Sequence, residues 1–202
     1  MPIRFATPAD GAVLLSIYAP YIDTPITFEC TSPTVPEFTR RIEAITREYP
    51  YLVYEEEGRP IGFAYAHRAQ AREAYQWNAE LSVYLAVGCT GRGIGTALYR
   101  VLIELLKRQG ICTVYGVVTV PNPASERLHR ALGFRRVGTW RRAGYKAGAW
   151  RDVAWFEKAI APFAADPPPL LPFSRFSRAE REGWLQTAVA STADARGRTL
   201  DE

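Results

Sequence analysis

Short apolar or alternating runs recur along most of this chain, separated by longer amphipathic runs. The short runs have the length and the two-residue period of β-strands, and seven are predicted: residues 3–5, 52–56, 60–68, 77–87, 112–120, 135–140 and 151–158. Gly58 favours a tight turn between the second and third runs, so these two are predicted to form a hairpin. The last two runs are predicted to pair antiparallel around a turn at residues 144–148.

The longer runs have the three-to-four-residue spacing of helices that bury one face. Thr7, Pro8 and Asp10 give the first helix an N-cap, a proline start and a capping-box partner. Three further helices are predicted, at about residues 35–48, 96–109 and within 121–134. Gly110 is the expected C-cap of the third helix. Helices interleaved with strands predict an α/β or α+β class with several antiparallel strand neighbours.

The composition changes after Ala161, where the sequence becomes rich in proline. Proline favours extended backbone and ends a packed domain. We therefore predict one domain over residues 1–161 and a flexible C-terminal tail over residues 162–202. The tail has the pattern of one short helix near residues 179–190, with Trp184 and Leu185 as its large apolar anchors.

Charge and cysteine content argue against several classes of function. A net charge of +4 with scattered Lys and Arg favours no nucleic-acid partner. Three cysteines that lie far apart and form no CxxC pair predict a reducing, cytoplasmic location. We expect no membrane span, because no run of about 18 apolar residues exists. Two histidines leave few ligands for a metal, so no metal is expected.

Residues 83–95 place a strand, a glycine-rich turn and a helix start in succession. Gly91, Gly93 and Gly95 let the backbone approach a ligand closely, and a helix start offers unpaired N–H groups and a positive dipole end. A pyrophosphate fits that arrangement, and Arg92 adds a charge-assisted contact. The spacing matches neither GxxxxGK[ST] nor GxGxxG. A glycine turn that binds nothing is the alternative interpretation.

Two of these segments resemble motifs of the GNAT N-acetyltransferases. Residues 90–98 (TGRGIGTAL) resemble the pyrophosphate motif, which usually opens with Gln or Arg where Thr90 stands here. Residues 122–134 (NPASERLHRALGF) resemble the second motif of the family. Other segments resemble the phosphinothricin N-acetyltransferase group, namely residues 27–29, 74–84, 127–129, 142–146 and 150–153. The resemblance covers roughly residues 2–160.

The resemblance implies a GNAT-like mixed, mostly antiparallel twisted sheet of six to seven strands with helices on both faces. The fourth and fifth strands are expected to splay apart, and acetyl-CoA is expected to lie in the V between them. The resemblance also implies a small-molecule amine as acetyl acceptor and a homodimer.

Glu80 and His129 are the catalytic candidates that the resemblance implies. Glu80 matches the catalytic glutamate of the phosphinothricin group, and the two-residue period places it on the same strand face as Ser82 and Tyr84. An apolar setting would raise its pKa toward that of a useful general base; a surface glutamate is the alternative. His129, seven residues after Asn122, is expected to act as an acid or proton relay, with a packing or capping role as the alternative.

The ligand-binding candidates follow from the same resemblance. The acetyl-CoA is expected to contact backbone freed by a bulge in the fourth strand, the glycine loop and the start of the fourth helix, through Ser82, Val83, Tyr84, Thr90, Gly91, Arg92, Gly93, Ile94, Gly95, Pro121 and Asn122. The amine is expected to contact Phe28, Arg72, Tyr75, Gln76 and Trp77. A structural role is expected for His67.

Two departures from the group leave the substrate open. Gln70 stands where a lysine is often found and Gln76 where an aspartate is often found. A polyamine, an aminoglycoside or a protein N-terminus therefore remains an alternative acceptor, and a non-catalytic acyl-CoA sensor remains an alternative to an enzyme.

Overall fold

The computed structural model describes residues 2–197 and contains seven strands. They are β1 (Ile3–Phe5), β2 (Tyr51–Glu56), β3 (Arg59–Arg68), β4 (Asn78–Leu85), β5 (Thr113–Val120), β6 (Arg135–Lys146) and β7 (Ala149–Ala159). They form one sheet in the order β1-β2-β3-β4-β5-β7-β6. Neighbouring strands are antiparallel except β4 and β5, which are parallel. The mixed, mostly antiparallel sheet predicted from the sequence is confirmed.

Five α-helices connect these strands or follow them: α1 (Gly11–Ile22), α2 (Val35–Glu48), α3 (Ile94–Gln109), α4 (Pro123–Ala131) and α5 (Arg178–Gly197). The predicted capping box of Thr7 and Asp10 is present and opens a short 3-10 turn that leads into α1. Thr34 and Glu37 form a second capping box at α2. Gly110 ends α3 with a φ of 106°, as predicted, because glycine adopts this backbone conformation without a Cβ clash.

The two faces of the sheet pack against different helices. Alternate residues of one strand point to opposite faces, so Val53 belongs to the cluster around α1 and α2, whereas Leu52 belongs to the cluster around α3. On the first face, Leu14 of α1 and Ile42 of α2 are fully buried. The second face is covered by α3, α4 and α5: the buried apolar residues of α3 and α5 form a larger cluster with the sheet, and the partly buried Leu128 of α4 packs against it. Helices therefore lie on both faces, as expected.

The strands β4 and β5 part after a short stretch of pairing. They are paired only at Asn78 with Thr113, Ala79 with Val114 and Glu80 with Tyr115. Beyond Glu80, β4 continues to pair with β3 and β5 continues to pair with β7. The parting leaves a V-shaped cleft between residues 81–85 and residues 116–120, so the predicted splay is confirmed.

The last hairpin is longer than predicted. Strands β6 and β7 have 12 and 11 residues and turn at Ala147 and Gly148. Their register shifts near Gly138 and again between Trp140 and Gly144. The sequence pattern missed this length because β6 is exposed along almost its whole length and therefore shows no alternation of apolar and polar residues.

The C-terminal segment differs from the flexible tail expected for it. After an irregular proline-rich stretch, α5 packs on α3 and buries Leu185 and Ala188. Phe173 is also buried, and its ring contacts Phe5 and Trp184. Few apolar side chains suffice here because they share one face of the helix. The division of the chain at residue 161 remains a prediction, and residues 198–202 lie outside the described part.

No helix in residues 2–197 combines the length and apolarity needed to cross a bilayer. In the same residues, no group of three or more His, Cys, Asp and Glu side chains is arranged to hold a metal ion.

The docking of α5 predicts that Leu185→Ala destabilises the protein. Leu185 is 2% exposed, and removing a buried leucine side chain costs about 3 kcal/mol in the free energy of unfolding. Leu171→Ala is the matched control, because Leu171 is 49% exposed and belongs to the same segment. Urea denaturation measures the free energy of unfolding of both variants. Equal, small effects of the two substitutions would show that α5 is not docked.

Candidate functional site

Glu80 lies at the closed end of the cleft, at the last pair between β4 and β5. Its cross-strand partner on β3 is His67, and the His67 Nε2 lies 3.7 Å from the Glu80 Oε1. The unbroken pairing of β3 with β4 gives Glu80, Ser82 and Tyr84 the same face, as predicted, and the Tyr84 ring packs against α1 at Tyr18. Glu80 therefore lies where β3, β4 and β5 are all paired, and the imidazole of His67 is next to its carboxylate.

The surroundings of Glu80 make it a better base than a surface carboxylate. Burial raises its pKa above the ordinary value, and the positive charge of a protonated His67 partly opposes that rise. A raised pKa strengthens the affinity of the carboxylate for a proton near neutral pH. His67, expected to be structural, is thus an electrostatic neighbour of Glu80.

The backbone that faces the cleft can be identified from bonds at the two ends of β4. The Trp77 carbonyl accepts a hydrogen bond from the Cys112 N–H on the β5 side, and the Leu85 N–H and carbonyl both bond the Tyr21 hydroxyl. Backbone groups of alternate residues in a regular strand point the same way. The N–H and carbonyl groups of residues 81 and 83 therefore point into the cleft.

This geometry corrects the predicted backbone contacts. No register shift occurs between β3 and β4 from Gly62 to Arg68, so the expected bulge is absent. Of the three predicted positions, Val83 faces the cleft, whereas the backbone of Ser82 and Tyr84 faces β3. Leu81, which the sequence reasoning missed, faces the cleft with Val83. The parting of the strands exposes this backbone without a bulge.

The glycine-rich loop leads from β4 into α3. Gly88, Gly91 and Gly93 have φ values of 83°, 78° and 76°, and Gly93 is the N-cap residue of α3. Thr90 is exposed with them, whereas Ile94 packs in the core. The first turn of α3 presents N–H groups that the helix itself does not pair.

Gly95 lies where three elements meet. A Cβ atom there would be 3.7 Å from a Leu128 methyl group on α4 and 3.9 Å from a Val83 methyl group on β4. The start of α3, the edge of β4 and the face of α4 therefore pack together at Gly95.

Arg92, predicted to contact an anion, is paired with a carboxylate. Its Nη2 lies 2.5 Å from the Glu56 Oε1 on β2, and both side chains are exposed. Its Nη1 lies 3.8 Å from the Cys89 sulfur. Exposed ion pairs contribute little free energy, so the guanidinium can exchange Glu56 for a phosphate at small cost.

His129 is buried on the inner face of α4. Its Nδ1 lies 2.8 Å from the Ser125 carbonyl oxygen and donates to it, which leaves the Nε2 as an acceptor. That Nε2 is buried with no hydrogen-bond partner in residues 2–192, and a Cβ atom at Gly116 of β5 would lie 2.0 Å from it. Burial lowers the His129 pKa, so the ring is held neutral against β5.

Asn122 caps α4, which is the alternative role left open by the sequence. Its side-chain oxygen accepts a hydrogen bond from the Ser125 N–H at 3.2 Å. Pro121 precedes it in the turn from β5. Contact of these two residues with a coenzyme remains a prediction.

The predicted amine-contacting residues fall into two groups. Tyr75 and Arg72 are exposed on the loop before β4. Gln76 and Trp77 instead bond the C-terminal segment: the Gln76 Oε1 accepts from the Leu170 N–H, and the Trp77 Nε1 donates to the Pro168 carbonyl. Each of these two polar atoms thus has a partner about 90 residues away, and contact of Gln76 and Trp77 with the substrate stays a prediction.

Phe28 is held beside the β6–β7 hairpin by a buried lysine. The Lys146 Nζ donates to the carbonyl oxygens of Thr27 and Glu29 at 2.5 and 2.6 Å. The Phe28 ring lies over Gly144, where a Cβ atom would come within 2.5 Å of it. Contact of Phe28 with the amine remains a prediction, and Lys146 is the supporting residue that sequence reasoning missed. The burial of Lys146 could not be predicted from the sequence, because the rest of β6 has the polar composition of an exposed strand.

Comparisons with known proteins agree with this architecture. The family described as Acetyltransferase (GNAT) domain matches residues 3–155. Phosphinothricin N-acetyltransferase of Streptomyces viridochromogenes is 39% identical over 174 residues, which are 86% of this chain and 94% of that protein. L-methionine sulfoximine/L-methionine sulfone acetyltransferase of Salmonella typhimurium is 30% identical over 82% of this chain and 98% of that protein.

A solved structure has the same fold. The phosphinothricin acetyltransferase from Sinorhizobium meliloti, in complex with AcCoA, superposes with a TM-score of 0.80 and 34% identity over 86% of this chain and 98% of that chain. The family match runs from β1 into β7, and the Streptomyces relative covers 86% of the chain. The chain therefore belongs to the GNAT acetyltransferase family and is an N-acetyltransferase.

Proposed function

We propose that the chain transfers an acetyl group from acetyl-CoA to the α-amine of a small amino-acid-like substrate of the phosphinothricin or methionine sulfoximine type. The observation that carries the proposal is the position of Glu80 at the closed end of the cleft, beside the cleft-facing backbone of Val83. The names of the relatives support the class of amine.

The cleft and the glycine loop fit acetyl-CoA. Open space surrounds Gly88 and Gly91, because a Cβ atom at either would meet nothing within 4 Å, so a pyrophosphate can approach the backbone. The N–H group of Val83 offers a donor in the cleft for a carbonyl oxygen. Arg92 stands at the loop as the available cation. When bound, acetyl-CoA supplies the electrophilic thioester carbonyl.

Glu80 accepts the proton that the substrate ammonium must lose before its nitrogen becomes a nucleophile, directly or through one water. Its raised pKa favours this transfer near neutral pH. A protonated His67 stabilises the ionised carboxylate before the transfer, and this stabilisation ends when Glu80 takes up the proton.

The proposed role of His129 is that of a proton relay. Its unpaired Nε2 carries a lone pair directed toward β5, which suits acceptance of a proton. Both the relay and the acid role pass through the protonated ring, and burial opposes that form. The ring contacts with Tyr99, Phe134 and Phe156 support the packing role that the sequence left as the alternative.

The homodimer and the cytoplasmic location also stay predictions. The exposed rings of Trp140, Tyr145 and Trp150 on the β6–β7 hairpin support a surface for self-association.

The proposed function is tested by thiol release from acetyl-CoA with a panel of amines. Phosphinothricin, methionine sulfoximine and methionine sulfone are expected to release thiol faster than a polyamine, an aminoglycoside or a peptide. A peptide or polyamine that outcompetes every amino acid would overturn the substrate class. Binding of acetyl-CoA without turnover of any amine would favour the alternative of a non-catalytic acyl-CoA sensor.

The base assignment predicts that Glu80→Gln lowers kcat by about 10²–10⁴-fold without weakening acetyl-CoA binding. In the unmodified enzyme, kcat is expected to fall as the pH drops through the raised pKa of Glu80, with a midpoint above the ordinary 4.5. His67→Gln removes the positive charge that lowers this pKa, so the midpoint should move to higher pH. A pH profile of kcat that is unchanged in Glu80→Gln would contradict the assignment.

The ion pair at the loop predicts a change in coenzyme affinity. Glu56→Gln frees Arg92 and should lower the KM for acetyl-CoA about two- to five-fold, because the guanidinium no longer has to leave an exposed ion pair, which is weak, before it contacts a phosphate. Arg92→Ala should raise that KM. Glu55→Gln is the control: it removes the same charge one residue away, where the carboxylate pairs with Arg4. Equal effects of the two glutamate substitutions would rule out a specific role for Arg92.

A further inference from the structure

The C-terminal segment bonds the loop that precedes the proposed base. We define the strap as residues 168–171 and the acceptor loop as residues 69–77, between β3 and β4. The Pro168 carbonyl accepts a hydrogen bond from the Trp77 Nε1 at 2.9 Å. The Leu170 N–H donates to the Gln76 Oε1 at 2.8 Å. Two consecutive side chains of the loop thus hold two backbone groups of the strap.

The rest of the acceptor loop is held only by short-range bonds among the described residues. The Arg68 side chain donates to the Ala71 carbonyl, and the Tyr75 N–H donates to the Arg72 carbonyl. Residues 70–75 are all exposed. A loop with this much exposed backbone has no core packing to define its position. Its ends are fixed by β3 and β4, and the strap adds two contacts just before β4 begins.

The strap itself is anchored to the body of the protein. The Gln109 Nε2 at the end of α3 donates to the carbonyl oxygens of Leu171 and Glu48 at 3.1 and 2.7 Å. A Leu170 methyl group lies close to Gly110, 3.6 Å from where a Cβ atom would be. Phe173, just beyond the strap, is 2% exposed. The strap is therefore a fixed support rather than a loose chain.

We propose that the strap positions the acceptor loop for binding of the amine, and that Gln76 and Trp77 are positioning residues that act through it. Trp77 lies three residues before Glu80, about 10 Å along an extended strand. Its carbonyl is held by the Cys112 N–H of the β5 side, and the strap holds its side chain and that of Gln76, which fixes the direction in which the loop leaves the strand. Tyr75 and Arg72 on that loop are then presented to the amine at a defined place. This inference rests on the proposed amine acetyltransferase function.

Two substitutions at Gln76 separate positioning from direct substrate contact. Gln76→Leu removes the acceptor for the Leu170 N–H and should raise the KM for the amine about 5- to 10-fold, as expected for one lost hydrogen bond. Gln76→Glu keeps an acceptor oxygen and should restore a KM near that of the unmodified enzyme. The KM for acetyl-CoA should stay constant in both.

Direct contact with the substrate makes the opposite prediction. If the Gln76 amide donated to the substrate carboxylate, Gln76→Glu would place two negative charges together and would raise the KM more than Gln76→Leu. A glutamate variant as weak as the leucine variant, or weaker, therefore overturns the strap proposal. Trp77→Phe should also raise the KM for the amine, but by less than Gln76→Leu does, because the Pro168 carbonyl can accept a hydrogen bond from water instead.

Trp184→Phe is the matched control for a general loosening of the C-terminal segment. Trp184 packs on Phe173 and Phe176 and makes no bond to the acceptor loop in the structure. This variant should lose stability without a change in the KM for the amine. If it raises that KM as much as Gln76→Leu does, the effect comes from stability and the strap proposal fails.

Hydrogen–deuterium exchange provides a readout that does not depend on turnover. Peptides covering residues 69–77 should exchange about 5-fold faster in Gln76→Leu than in the unmodified protein, and Gln76→Glu should match the unmodified protein. Unchanged exchange in Gln76→Leu overturns the strap. If no amine is acetylated by the unmodified protein, the proposed function fails, while the exchange comparison still decides whether the strap holds the loop.

Discussion

The candidate site depends on the point at which β4 and β5 stop pairing. Backbone N–H and carbonyl groups inside a protein need hydrogen-bond partners, and continued pairing would use those of Leu81 and Val83 in the sheet. Separation after Glu80 directs these groups into a cleft instead, where a bound ligand or water must satisfy them. The start of α3 and the face of α4 pack against this strand at Gly95. One local change in strand pairing thus places the free backbone of β4 beside the start of α3 and the face of α4.

The same junction explains the chemistry assigned to Glu80. A carboxylate at the last paired position of two central strands is partly withdrawn from water, and this raises its pKa. The backbone around it is braced from two sides. Lys146 holds the segment that carries Phe28, and the C-terminal strap holds the loop that ends at Trp77. Both braces use hydrogen bonds between residues far apart in the chain, so the site is built on a fixed frame.

Local signals in the sequence predicted much of this frame. The bounds of α2 and the glycine end of α3 follow from spacing and capping residues that act within a few positions. The cleft could be expected only from the resemblance, because periodicity reports which face a strand buries and not where two strands separate. The bonds that Gln76 and Trp77 make to the C-terminal segment could not be predicted for a similar reason. Their partners lie about 90 residues away, in a proline-rich stretch whose composition predicts extended backbone.

A crystal structure of the chain with acetyl-CoA and an unreactive analogue of the amino-acid substrate tests the central claim most directly. The distance to measure joins the Glu80 carboxylate and the atom that replaces the reactive nitrogen. If Glu80 is the base, the two atoms lie about 2.6–3.2 Å apart or are linked through one water, with the thioester beside the backbone of Val83. An amine site that lies outside the cleft, or a Glu80 carboxylate turned away from it, would show that Glu80 is not the base.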